Sequence, residues 1–325
     1  IGSLKSYFGQ RKKIEQEVEK ILEGYDAVIV RLPSEYGNLV AKVAKRLNIP
    51  IAAEVVGCAW DAYWNYGSIQ AKLYAPYGIY SMRKSVSLSS NTLYVTEFFL
   101  QKRYPIKQTI PTVSVSNVEL TELNPSSLSN RLERINNFNT NKIIFGTIGS
   151  FKTKYKGIHL AFKMLQKLKQ THNFEYHILG NGDMEYYLQL AKEFEIDDNI
   201  YFDGLLPSGK PVYEWLDKID IYLQPSLQEG LPRATIEALS RACPAITSNA
   251  GGLSELISKD LICNPNNSND FVEKINKLIT NKSRMIEEAK INFKKAEKYQ
   301  KHILDEKRSD FWNNFKDSIK KIKKN

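Results

Sequence analysis

From Ile143 onward, short apolar runs alternate with stretches of helical spacing, an order that a parallel sheet with crossover helices satisfies readily. The runs are Ile143–Ile148, Phe174–Leu179, Ile200–Phe202, Ile219–Leu223, Ala245–Thr247 and Leu261–Cys263. Helical patterns lie between them at His159–Lys169, Glu185–Phe194, Val212–Leu216, Ala234–Arg241 and Ser254–Ile257. A continuous apolar run of about four to eight residues suits a strand buried on both faces. Strand–helix alternation implies βαβ units, so residues 142–300 are expected to form a complete doubly wound domain.

The preceding residues repeat the theme less regularly. Lys12–Glu23 carries Ile14, Val18, Ile21 and Leu22 at helical spacing, and Asn38–Leu47 is also helical in pattern. Asp26–Arg31, Ile51–Val56, Ser85–Ser89, Leu93–Thr96 and Thr109–Val115 are further apolar runs and strand candidates. The expected fold class is therefore α/β, with two Rossmann-like doubly wound domains. Residues 1–123 would form the first, 124–141 a polar, turn-rich linker, and 301–325 a Lys-rich helix or tail. The chain opens at Ile1, and nothing before Lys12 has the form of a strand followed by a glycine loop. The first domain is accordingly expected to lack its first βα unit.

Composition narrows the class. A chain of 325 residues exceeds one ordinary core. With 25% charged and 42% hydrophobic residues, it is neither wholly disordered nor collagen-like. No apolar run approaches the roughly 20 residues of a spanning helix. Cys58, Cys243 and Cys263 form no CxxC pair, which predicts buried thiols in a reducing cytosol. The four histidines show no HxxxH or HExxH spacing, so no zinc site is expected. The formal charge of +10 is spread along the chain without a nucleic-acid-binding motif, and nucleic acid is not an expected partner. Its densest cluster is Lys316, Lys320, Lys321, Lys323 and Lys324. That cluster reads either as a solvated helix end or as a patch attracted to an anionic membrane surface at the cytoplasmic face. In the second case each basic residue near the surface contributes about 1 kcal/mol.

Ligands of open α/β sheets bind beyond the carboxyl ends of the strands. The segment there with the most chemistry runs from Ile221 to Leu239. A strand ends near Gln224, Pro225 and Ser226 turn the chain, and a helix starts near Pro232, where a first-turn proline loses no hydrogen bond. The amides near Gly230, Leu231 and Arg233, with the helix dipole, would form an anion site suited to a diphosphate. Glu229 precedes the helix and Glu237 lies about a turn and a half inside it, leaning back toward the helix start. A carboxylate there suits a ribose diol.

Pro225, Ser226, Glu229, Gly230, Leu231, Pro232, Glu237 and Ala238, followed by Gly251, Gly252 and Glu255, resemble the motif of retaining glycosyltransferases of family 4, of the bacterial surface-polysaccharide type. Lys156–Gly157, Gly180–Asp183, Phe202–Gly204 and Asp220 also fit, and Tyr94–Thr96 and Arg31–Ser34 fit more faintly. The resemblance implies a GT-B fold. It also implies transfer of a sugar from a UDP- or GDP-linked donor to a saccharide or lipid-linked acceptor. Glu237 would hold the nucleotide ribose, Glu229 would contact the donor sugar, and the Gly230 and Leu231 amides would lie near sugar and phosphate. Lys156 would neutralise the diphosphate leaving group, with Gly149, Lys152, Gly180 and Gly182 completing the nucleotide-sugar site. No cofactor is expected, and no metal if Lys156 and the helix start supply the positive field. The family's arginine six residues before the lysine is replaced by Ser150; Lys152 or Lys154 would take its place, without the bidentate geometry of a guanidinium.

Other features have two readings each. Gly180 and Gly182 either turn a loop or admit phosphate or base. Trp60 and Trp64 are core or crevice wall, or a sugar platform. Asp61 follows a strand, and either binds the acceptor, with a base-like catalytic role, or caps the next helix. If the first domain is shortened, the alternative to an active transferase is a catalytically weak nucleotide-sugar-binding protein or partner subunit. A Rossmann dehydrogenase is disfavoured, because no strand–GxGxxG–helix opens either domain.

Overall fold

The computed structural model describes residues 4–138 and 141–324. Ile1, and Asn139 and Thr140 of the expected linker, lie outside the described residues. The chain divides into two units, residues 1–117 with 305–325, and residues 118–304.

In the first unit, helix α1 (Leu4–Leu22) precedes β1 (Val28–Leu32), α2 (Glu35–Arg46), β2 (Ile51–Val55), α3 (Ala59–Trp64) and α4 (Ile69–Ser87). The unit continues through β3 (Asn91–Tyr94), α5 (Phe99–Arg103) and β4 (Thr112–Ser114). Its four strands are parallel and ordered β1-β2-β3-β4. β2 is buried at every position but Glu54, and β3 at all four of its positions, as a sheet covered on both faces requires.

Ser85–Ser89, expected as a strand, instead closes α4. Ser68 caps that helix by accepting from the Ala71 amide, and its buried face is Ala71, Ala75, Gly78, Met82 and Ser85. These residues keep helical spacing but are mostly small, so the face hardly registers as an apolar stripe.

The second unit holds the doubly wound sheet. Helix α6 (Ser126–Asn136) leads to β5 (Ile143–Ile148), α7 (Ile158–Leu168), β6 (Phe174–Leu179), α8 (Met184–Glu193), β7 (Ile200–Gly204) and α9 (Lys210–Asp217). Then come β8 (Ile221–Gln224), α10 (Arg233–Ser240), β9 (Ala245–Ser248), α11 (Leu253–Leu256), β10 (Ile262–Cys263), α12 (Ser268–Ile279) and α13 (Lys282–Ala296). The strand order is β10-β9-β8-β5-β6-β7, all parallel. After β5 the chain moves toward β6, and after β8 toward β9. The order therefore reverses between adjacent strands β5 and β8, and their following loops diverge into a crevice. All six expected strands are present, within two residues at each end.

The domain borders differ from expectation. The second unit starts at Val118, and much of the expected linker is helix α6, which packs on α13. Its buried positions, Ser127, Arg131 and Ile135, follow a helical period but carry little hydrocarbon. Arg131 is 3% exposed and donates to three backbone carbonyls, of Leu216, Ile219 and Arg241. Two of these lie in or beside the end of α9 and one follows α10, where helical carbonyls have no internal partner. Arg134 adds an ion pair to Asp220 at 2.8 Å, and Asp220 accepts from the Ile144 amide at the start of β5. A guanidinium thus joins the helix ends to the sheet. Helix α14 (Lys301–Lys324) starts in the second unit, but from Asp305 onward it belongs to the first, where Arg308 donates to the Ser116 carbonyl. Cys58, Cys243 and Cys263 are free and buried, as expected.

Replacing Arg131 by Met keeps the volume but removes a buried donor from three carbonyls, of which that of Leu216 retains the Ile219 amide. The variant is expected to lose about 3 kcal/mol or more of stability, measured as a lowered denaturant midpoint at unchanged m-value.

Candidate functional site

The expected donor-site residues of the second unit gather at the divergence of β5 and β8. After β5, Gly149 leads through an exposed Lys152 to a single 3₁₀ turn, Lys154–Lys156. A Cβ on Gly149 would meet the Lys156 side-chain carbons at 3.2 Å, so the lysine stem lies over this glycine. Lys156 Nζ then reaches Glu229 Oε1 at 2.8 Å. The same carboxylate oxygen accepts from Ser226 Oγ at 2.7 Å and Gln224 Nε2 at 3.2 Å. Glu229 is 8% exposed, and Gln224 and Ser226 are fully buried.

Gln224 is itself oriented. Its carbonyl oxygen accepts from the Tyr222 hydroxyl, which turns its amide nitrogen toward Ser226 and Glu229. Strand alternation places Tyr222 and Gln224 on one face of β8, and Ser226 continues the spacing just beyond it. The expectation from sequence named neither Gln224 nor Ser226 as functional. Their signal was a polar residue at every second position where an apolar strand ends.

The loop from Pro225 to Pro232 is held from several directions. Leu227 donates its amide to the Tyr155 carbonyl at 2.7 Å, Ser248 Oγ donates to the Ser226 carbonyl, and the Gly252 amide donates to the Gly230 carbonyl at 2.7 Å. Two glycines make this contact distance achievable. A Cβ at Gly157 would lie 1.9 Å from the Pro225 carbonyl oxygen, and one at Gly251 would lie 1.9 Å from that of Glu229. Both also have positive φ, +72° and +56°, which L side chains rarely adopt. The Gly251–Gly252 turn is therefore a brace for the Glu229 loop, and Gly252 precedes α11 without a side-chain cap.

Gly180 and Gly182 serve a comparable contact. A Cβ at Gly180 would be 2.1 Å from the Gly149 carbonyl oxygen, and one at Gly182 would be 2.4 Å from the Phe151 carbonyl carbon. The loops after β5 and β6 run side by side here, joined by Phe151 N to the Asn181 carbonyl at 2.9 Å. Ser150 also bonds that carbonyl, through its hydroxyl. Of the two lysines offered as substitutes for an arginine at Ser150, Lys154 stacks over the Tyr186 ring at 5.0 Å, while Lys152 is exposed on the loop.

Helix α10 begins at Arg233, with Pro232 as its extended N-cap rather than its first helical residue. Proline needs no amide partner at either position. The Gly230 and Leu231 amides donate to no protein acceptor among the described residues, so they stand available just before the helix start. Inside the helix, Glu237 is 7% exposed, and no described residue donates a hydrogen bond to its carboxylate. Burial pushes its pKa up to about 7, and Arg233 only partly opposes this. A carboxylate buried without a protein donor is costly.

Asp61 belongs to the first unit. It occupies the third residue of α3, whose N-cap is Cys58, and α4 is capped by Ser68, so Asp61 caps neither helix. It faces Arg103 at 3.7 Å, and burial raises its carboxyl above the usual range despite that cation. Trp60 and Trp64 stack on each other at 5.1 Å, with Trp64 half-exposed.

Residues 129–298 match the family described as glycosyl transferases group 1. Protein CapJ of Staphylococcus aureus is 31% identical over 318 residues, 98% of this chain and 79% of that protein. The amylovoran biosynthesis glycosyltransferase AmsK of Erwinia amylovora is 34% identical over 117 residues, which is 34% of this chain and 28% of that protein. Among solved structures, sucrose-phosphate synthase of Thermosynechococcus elongatus aligns with a TM-score of 0.73 at 13% identity, covering 98% of this chain and 81% of that one. Anabaena Alr3699/HepE, solved with UDP and glucose, aligns at 0.66 and 15% identity, covering 94% of this chain and 82% of that one. These structural likenesses identify the fold as GT-B. With the family match covering more than half of the sequence, the chain belongs to the group 1 glycosyltransferases.

Proposed function

We propose that this glycosyltransferase moves a sugar from a nucleoside-diphosphate donor to a saccharide or lipid-linked acceptor of a surface polysaccharide, with retention and without a metal. The observation that carries the donor assignment is Glu237. A buried carboxylate with no protein donor has its missing partners supplied by the two hydroxyls of a ribose, and the Gly230 and Leu231 amides supply donors for phosphate or sugar oxygens. HepE, with UDP bound, supports a nucleoside diphosphate, and the amylovoran enzyme supports a polysaccharide product. Retention and membership of family 4 rest on the resemblance of the Glu229–Glu237 motif. The setting is cytoplasmic, at the inner face of a membrane.

Cleavage of the sugar–phosphate bond leaves negative charge on the diphosphate. Lys156 is held by Glu229 before the donor arrives and turns its ammonium to the phosphates when it binds. Glu229 is then released toward the sugar while Ser226 and Gln224 keep its carboxylate in place. The fixed cation and the preorganised amides stabilise the leaving group in a site with little water.

Glu237→Gln is expected to weaken UDP binding about 10- to 100-fold in calorimetry, the worth of hydrogen bonds to a charged group. Unchanged affinity removes the ribose assignment. In the wild type, only the ionised carboxylate accepts both hydroxyls, so affinity should fall about tenfold per pH unit below about 7, a dependence absent from Glu237→Gln. The unliganded protein should show the opposite trend. Between the ordinary carboxylate range and about 7 the folded chain keeps a proton that the unfolded chain has lost, so this contribution to stability is lost as pH rises through that window.

Lys156→Ala should lower the rate of UDP release from a UDP-sugar by about 100- to 1,000-fold. Its fold should persist, because Glu229 retains the Ser226 and Gln224 donors. A loss of less than fivefold contradicts the leaving-group role. Turnover should also continue in EDTA, and strict dependence on added magnesium or manganese overturns the metal-free mechanism.

A further inference from the structure

Helix α4 packs its small residues inward and presents its large ones to solvent. Ile69 is 78% exposed and Leu73 77% exposed, with Tyr77 and Tyr80 following at helical spacing on the same face. Tyr66, in the turn just before the helix, is 77% exposed, and half-exposed Trp64 lies beside it in sequence. A scattered exposed leucine needs no explanation, but a row of them along one helix does. The row is not a core face, because the core face is Ala71, Ala75, Gly78 and Met82.

Charge identifies the occupant. The 19 residues of α4 include no Asp or Glu, while Lys72, Arg83 and Lys84 are exposed and flank the row. Arg83 uses its Nε on the Arg103 carbonyl at 2.8 Å, and Glu35 of α2 is the acid in the hollow lined by Tyr77, Tyr80 and Lys84. Lys72 also lies over the Trp64 ring, at 5.7 Å. Apolar and aromatic side chains on one face, cations at its border and no acid are the makeup of a helix that lies in a lipid–water boundary. Tyrosine and tryptophan favour that boundary because each ring is apolar with a polar tip. No described helix is long and apolar enough to cross a membrane, so contact would be from the side. The basic end of α14 fits less well: it pairs Lys320 with Asp317 at 3.0 Å, and Ile322 is the one exposed large hydrophobic identified along its described residues.

We propose that the exposed face of α4 docks on an anionic lipid surface, with Ile69, Leu73 and the tyrosines entering the boundary and Lys72, Arg83 and Lys84 meeting lipid phosphates. This deepens the membrane setting of the proposed function by naming the surface that makes the contact, and it does not depend on the donor-site assignment.

The test is flotation of the full chain with vesicles of 70:30 phosphatidylcholine and phosphatidylglycerol, against pure phosphatidylcholine. The wild type should float with the anionic vesicles and lose binding at high salt. The pair Ile69→Ser and Leu73→Ser should reduce binding roughly tenfold. Lys72→Glu with Lys84→Glu should reduce it at least as far, since each cation near the surface is worth about fivefold. Lys316→Gln with Lys320→Gln should change it less than twofold. All variants should keep the wild-type melting curve and its shift by UDP, which separates this surface from the donor site. Absence of vesicle binding, or equal binding by the serine pair, overturns the proposal. So does a stable dimer by light scattering that the serine pair dissolves, because the face would then belong to a second copy.

Discussion

The contact on which the loops of the second unit depend is the ion pair of Lys156 and Glu229, closed at 2.8 Å with both side chains largely buried. It ties the loop after β5 to the loop after β8, the two loops that the reversal of strand order drives apart. Such a pair is a poor investment in stability, since well-packed hydrocarbon of similar volume often stabilises as much or more. Its value is that both charges stay ready. In the proposed mechanism the ammonium leaves for a phosphate while Glu229 keeps two other donors, since Gln224 and Ser226 hold one oxygen of its carboxylate.

That readiness needs a rigid surround. The positions of Gly157 and Gly251 allow backbone to lie against the Pro225–Glu229 loop closer than any side chain would permit. A loop braced this way loses little conformational freedom when a ligand arrives, so less of the binding energy goes into ordering. Glu237 is the complementary case. Its carboxylate has no protein donor among the described residues, and its raised pKa records the cost of holding it there. One carboxylate is satisfied by protein donors and the other is not, which is the basis for assigning it to the ribose in the proposed function. The two positions, eight residues apart, are distinguished by whether a buried strand end lies beneath them.

Much of this was legible in the sequence because the second sheet is buried on both faces, and continuous apolar runs mark its strands directly. Glu229 stood out on the loop that follows such a run and Glu237 inside the helix after it, while Lys156 was singled out by the family resemblance. What escaped detection obeys a different rule. Helix α6 buries Ser127 and Arg131, so its inner face looks polar, and its stabilisation comes from hydrogen bonds to three carbonyls rather than from hydrocarbon. Helix α4 buries alanine and glycine, and Ser85–Ser89 at its end mimicked a strand. Gln224 passed as the tail of β8, because a hydrogen-bond chain through Tyr222 has no signature in spacing beyond alternation. Asp61 was placed by the same strand-end rule as the glutamates, yet its partner is Arg103 of its own unit. The rule finds loops, and it does not say which loop residue meets a ligand.

The same distinction applies to charge. An excess of +10 says only that cations outnumber acids; its chemical meaning depends on what surrounds each cation. Lys156 is buried against a carboxylate, Arg131 is spent on carbonyls, and Arg134 is paired with Asp220. Lys320 has Asp317 one helical turn away. The cations of α4 differ in having no acid anywhere on their helix and a row of exposed apolar side chains beside them. The field of such exposed cations extends outward until salt screens it, within about 8–10 Å. Attraction over that range followed by burial of isoleucine, leucine and tyrosine is an ordered pair of steps. Density of lysine alone selected the end of α14, and only side-chain exposure separates the two helices.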